Sequence, residues 1–197
     1  ILSGLVGSEM CIRDRPMGEP PTVTSNVEGQ LLGRKGRETR QRLMAAALGL
    51  LTNCSPIELT AVAIAREAGM ASATFYLYFR DVPDLLLAIS ECATSEMIAG
   101  FVASTVFLDR SRIAADSTAF LEMLGCWWER HGVILQYRTM EADRGEERFR
   151  LQRERWAAVV LDRLFKLFRE VDVAEPVLDD VDAYADALVA FTSVERL

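Results

Sequence analysis

The sequence predicts an all-α protein in two parts: a three-helix head with a helix-turn-helix plan at residues 34–80, and a helical body at residues 81–197. Three observations lead there. Apolar residues recur with helical period nearly throughout, and no stretch alternates as a strand does. Two short helical segments, 61–68 and 72–79, flank a turn that contains Gly69. Charge is also divided: residues 30–80 carry seven Arg and Lys against three Glu, a net +4, while residues 81–197 carry a net −9, within a chain of 197 residues and net charge −7. A basic head on an acidic body is the electrostatic pattern of a protein that holds a polyanion at one end.

The elements follow in order. Residues 1–33 are expected to form a disordered arm, rich in Gly, Pro, Ser, Thr and Asn after Met17. Its first fifteen residues, "ILSGLVGSEMCIRDR", resemble a sequencing-adaptor read-through and are expected to be foreign; their apolar part is too short, and lacks the basic flank, for a signal peptide. From Arg37 to Asn53, Leu43, Ala46, Leu50 and Leu51 line one helical stripe. Ser55 and Pro56 break it. Thr60 is the expected N-cap of the next helix, with Val62, Ile64 and Ala65 available for the core and Gly69 as its stop. Asp81 is the expected cap of the helix that follows residues 72–79, with Pro83 in its first turn and Asp84 three residues on.

The stretch "AGMASATFYLYF", Ala68–Phe79, is dense in aromatic residues for so short a helix. A helix of two turns is not stable by propensity and needs large anchors. Phe75 and Phe79, four apart, are the expected anchors, and Tyr76 and Tyr78 are expected at the rim with hydroxyls free to donate to phosphate. Ser72, Ala73 and Thr74 are small enough for the backbone to approach base edges. Arg34, Lys35 and Arg37 supply positive charge beside them.

On Ile64-Ala65, Ala68-Gly69, Thr74-Phe75-Tyr76, Tyr78-Phe79 and Leu85-Leu86, residues 34–90 resemble the DNA-binding region of the tetracycline-repressor (TetR) family. The wording "TFYLYF" is most like the branch of the ethionamide-resistance repressor. The resemblance implies an all-helical homodimer that holds double-stranded operator DNA with its heads and a small lipophilic effector in its body. It implies that Thr60 caps and touches phosphate, that Tyr76 contacts phosphate, and that Ser72, Ala73, Thr74 and Leu77 face bases. Ala71 stands where the family usually has Ser, and Val82 where it often has Lys. Beyond residue 90 the likeness is one of helix lengths only. The family's dimer interface uses two C-terminal helices from each subunit; one is legible here, so the C-terminal end is expected to be truncated.

In the body, residues 109–116 are expected to be a loop, Phe120–His131 a helix stopped by Gly132, Val133–Ala142 a short helix, and Glu146–Val171 a long one with Phe149, Trp156, Val160, Leu164 and Leu167 on one stripe. Pro176 and Asp179 introduce a last helix. Phe120, Met123, Trp127, Trp128, His131, Tyr137, Glu141 and Trp156 read equally as plain core or as the lining of an effector pocket. His131 is the single histidine, and no nucleophile elbow, phosphate loop or metal-ligand spacing accompanies it, so neither catalysis, cofactor nor metal is expected. Cys11, Cys54, Cys92 and Cys126 lack C-x-x-C spacing and read as reduced thiols of a cytoplasmic protein. No apolar run reaches membrane-spanning length. The rival to a DNA-binding repressor is an all-helical enzyme or small-molecule carrier with a vestigial head.

Overall fold

The computed structural model describes residues 25–103 and 113–171. Among them the chain is all-α. Six helices follow one another: α1 (Arg34–Leu50), α2 (Ala61–Glu67), α3 (Ser72–Tyr78), α4 (Val82–Ala103), α5 (Ile113–Asp143) and α6 (Glu147–Val171), with a 3-10 turn at Pro56–Glu58. The expected last helix beyond Pro176 and the first 24 residues lie outside the described residues.

Capping chemistry sets the boundaries in the head. Thr60 Oγ1 accepts from the Ala63 N–H at 3.1 Å and starts α2. Gly69, at φ +67°, ends it; the Gly69 N–H donates to Arg66 and the Met70 N–H to Ala65, the bond pair of a Schellman motif. Asp81 starts α4 by accepting from the Asp84 N–H at 2.7 Å, while the Asp84 carboxylate accepts from the Arg80 N–H at 3.0 Å. Ala71 is the N-cap of α3 and offers no capping side chain, and Ser72 lies inside the first turn.

Burial follows helical period with one correction. Leu43, Met44 and Ala47 of α1, Ile64 and Ala65 of α2, Phe75 and Phe79 around α3, and Leu85, Leu86 and Ile89 of α4 form the head's core. Val62, expected in that core, is 62% exposed. Positions two apart on a helix point some 200° apart, so a seven-residue helix that buries Ile64 turns Val62 to solvent.

The body departs from expectation at Gly132. Helix α5 runs unbroken for 31 residues through it and includes residues 113–116, expected as loop. Gly132 is buried in the helix interior, where a glycine costs about 1 kcal/mol relative to alanine. The burial of Ile134, Leu135 and Tyr137 just beyond keeps the helix going. The stop comes at Gly145, φ +91°, where the Gly145 and Glu146 N–H groups donate to Ala142 and Glu141 in a second Schellman motif.

The chain groups into two compact units. One comprises, of the described residues, 25–95 and 131–150. Within it Tyr137 packs edge-on against Phe149, with ring centroids 5.6 Å apart, and Arg148, hydrogen-bonded to Glu146, lies 3.6 Å from the Asp84 carboxylate. The other comprises, of the described residues, 96–103, 113–130 and 151–171. Its core holds Met97, Trp156 and Val160, with Ile98, Trp127 and Leu161 packed against them, and an Arg130–Glu96 ion pair at 3.0 Å. The side chains of Leu164 and Leu167 lie outside the described residues.

Candidate nucleic-acid interface

Helix α3 buries one edge and offers the other. Phe75 and Phe79 are 0% and 1% exposed, with their rings 5.7 Å apart. Phe75 also meets the Tyr76 ring edge-on at 5.3 Å. This contact holds the Tyr76 ring while leaving the residue 54% exposed. Leu77, Ser72 and Ala73 are exposed with it, and Thr74 and Tyr78 are half-buried at the flanks. Ser72, Ala73, Tyr76 and Leu77 fall at i, i+1, i+4 and i+5, one contiguous helical face. The face has small residues at its N-terminal end and a hydroxyl and a large apolar side chain one turn later.

Thr60 is exposed at the start of α2. Its oxygen accepts the Ala63 N–H, and its own O–H remains to donate. Arg34 and Lys35 open α1, both exposed; Arg34 lies 3.8 Å from Glu38 across one turn, an exposed pair whose net stabilisation is small. Arg37 is exposed too, with its guanidinium donating to the Leu32 carbonyl at 2.9 Å.

Two of the seven basic residues of the head serve the fold. Arg42 donates to the Ala68 carbonyl at 2.8 Å, satisfying the C-terminal end of α2. Arg40 is buried, its guanidinium carbon 4.8 Å from the centre of the Phe79 ring. Burial pushes the Arg40 pKa down from the usual guanidinium range, opposed by Cys92, Asp84 and Glu91. The buried Arg40 therefore makes the charge counted along the sequence larger than the charge the head presents outward, whereas Arg42 stays exposed while it holds the Ala68 carbonyl. A cation–π seat of this kind is invisible to composition; the i, i+4 spacing of Arg40 and Met44 on a stripe otherwise apolar is the one trace of it.

The body residues divide between the units. Trp127 and Trp156 stack with centroids 6.4 Å apart in the unit that also contains Met123 and Trp128, all three of Met123, Trp127 and Trp128 half-buried. His131 and Tyr137 are buried and Glu141 is half-buried in the other. Burial, followed by the Glu141 carboxylate, pushes the Tyr137 phenol up to about 12. The Phe120 side chain lies outside the described residues. Among the described residues no cluster of three or more His, Cys, Asp and Glu is arranged to hold a metal ion, and no helix is long and apolar enough to cross a membrane.

A solved structure of the fatty acid degradation regulator FadR from Bacillus halodurans matches the chain with a TM-score of 0.58 at 15% sequence identity, over 85% of this chain and 83% of that one. The two share a helical fold. No protein-family model matches the sequence, and no curated protein matches it.

Proposed function

We propose that this chain is a TetR-type transcriptional repressor that binds double-stranded DNA as a homodimer and is released from a palindromic operator by a small lipophilic effector. The observation that carries the reading is the exposed face of α3, Ser72, Ala73, Tyr76 and Leu77, set on two buried phenylalanines and behind a glycine turn. Such a helix fits the major groove. Ser72, Ala73, Thr74 and Leu77 are then the base-facing residues. Thr60, Tyr76 and Tyr78 donate to phosphate oxygens, and Arg34 and Lys35 meet phosphate charge. The regulatory role of FadR, whose fold the chain shares, supports the reading.

The response to an effector has a physical route within one unit. Helix α4 starts at Val82, shortly after α3 ends at Tyr78. Arg148, at the start of α6, reaches Asp84 in the first turn of α4. A ligand that displaces the start of α6 therefore moves α4, and α3 with it. Release requires the ligand to prefer the state that does not fit DNA. The stacked Trp127 and Trp156 in the other unit supply broad aromatic surface and a spectroscopic reporter.

The test is selection from a randomised duplex library by the full chain, followed by a mobility shift. A palindromic sequence should be enriched, and Tyr76→Phe should weaken its binding. Fatty acids and other lipophilic molecules should then be titrated against the complex while tryptophan fluorescence is followed. A chain that enriches no sequence refutes the DNA reading; release by no molecule in such a set refutes the effector half.

A further inference from the structure

The segment before α1 carries a built turn that touches the exposed helix. Asn26 organises it: its side-chain oxygen accepts from the Glu28 N–H at 3.1 Å and the Gln30 N–H at 2.8 Å. The Asn26 N–H donates to the Gln30 carbonyl at 2.9 Å, and Ser25 and Leu31 form an antiparallel bridge. Gly29, at φ +80°, makes the reversal. At the tip, the Val27 N–H donates to the Leu77 carbonyl at 3.2 Å. Leu77 belongs to the last turn of α3, where carbonyls have no partner inside the helix. The turn thus satisfies the C-terminal end of a helix that has no side-chain cap at its other end.

The turn is latched to α1 at two points. Arg37 donates to the Leu32 carbonyl at 2.9 Å. Leu32 also lies over the bare Gly36: a Cβ there would come within 2.8 Å of the Leu32 Cδ2. The chain of contacts runs from Arg37 through Leu32 and the turn to the main chain of Leu77, a residue of the face described above.

Building on the DNA reading, we propose that residues 25–32 form a clip that holds α3 in register for the duplex, and that Arg37 is a positioning residue acting through this clip, not a phosphate contact. A phosphate contact and a clip make opposite predictions. Removing a cationic phosphate contact weakens binding to all sequences alike and reduces the salt slope by about 0.9. Loosening the clip blurs the fit to the preferred sequence and leaves the slope unchanged.

The experiment uses the full chain and a duplex enriched from a randomised library by the wild type, with a random duplex as comparison. Arg37→Ala removes the latch, and Val27→Pro removes the N–H that reaches Leu77. Each should weaken the enriched duplex roughly three- to tenfold, the range expected for one hydrogen bond. The random duplex should be nearly unaffected and the salt slope preserved. The double variant should be no weaker than either single one, because both break the same chain. Exchange of the Val27 amide, read by NMR without DNA, should be slowed in the wild type and accelerated in Arg37→Ala, which tests the clip even if no duplex is enriched. Equal loss on both duplexes with a reduced slope, additive effects of the two changes, or an unprotected Val27 amide in the wild type overturns the proposal.

Discussion

Replacing Phe79 by Leu, alone and together with Arg40→Met, tests how the exposed helix is anchored. The Phe79 ring is buried beneath the Arg40 guanidinium at 4.8 Å, well inside the 6 Å within which a cation is attracted to a ring face. Arg40 is 8% exposed, which places the interaction at the desolvated end of its range, about 2 kcal/mol. Among the described residues its Nε has no hydrogen-bond partner, and its Nη1 meets the weak acceptor Met44 Sδ at 3.4 Å, so the ring joins the nearby Asp84 and Glu91 carboxylates in compensating the buried charge. Phe79→Leu should therefore cost about 3 kcal/mol: up to about 1.5 for the change in packing and the remainder for the lost ring face. Arg40→Met removes a buried charge as well as the contact, and should change stability by no more than about 1 kcal/mol. In that background Phe79→Leu should cost only about 1–1.5 kcal/mol. Urea unfolding of the four proteins, followed by far-UV circular dichroism, gives the coupling directly. A Phe79→Leu cost equal in both backgrounds within about 0.5 kcal/mol refutes the argument.

Other perturbations read separate parts of the molecule. Tyr76→Phe should weaken enriched and random duplexes alike with an unchanged salt slope, because a phenol releases no counterion, whereas Lys35→Ala should reduce the slope by about 0.9; mobility shifts across a salt series decide. Ala71→Ser should raise stability by about 0.5–1 kcal/mol, since Ala71 has the extended backbone of an N-cap, φ −69° and ψ 145°, without a capping side chain; an unchanged thermal midpoint would count against it. Gly69→Ala should cost about 1–2 kcal/mol through backbone conformation, because the only neighbour of an added Cβ, Arg42 Nη2 at 3.8 Å, is an ordinary contact. Tyr137, whose phenol is pushed up to about 12 from 10, favours the folded state below pH 10; above it the unfolded chain loses its proton first, so stability falls until the folded phenol ionises near pH 12. The wild type should lose roughly 1–2 kcal/mol more than Tyr137→Phe across that window, the full shift being reduced by solvent screening, measured by urea midpoints at both ends; parallel pH curves would place the phenol in solvent.

What was legible along the chain is what short-range chemistry controls. Thr60, Gly69 and Asp81 bound their helices because a cap or a left-handed turn involves residues at most five apart. Phe75 and Phe79 were recognisable as anchors from their spacing alone. Contacts between distant residues decided the rest. Gly132 looked like a stop but lies inside α5, because burial of the residues beyond it outweighs a local cost of about 1 kcal/mol. Val62 is apolar yet exposed, since packing on one side of α2 leaves its opposite face in solvent. Arg40 and Arg42 count as positive charge in any composition. Arg40 is buried over Phe79 and the exposed Arg42 holds the Ala68 carbonyl, partners 39 and 26 residues away, so which of the two charges faces outward was a property of the fold. The turn at Ser25–Leu31 reaches Leu77, some fifty residues on, through a main-chain hydrogen bond. Backbone groups are alike at every position, so no side-chain pattern announces which two will meet.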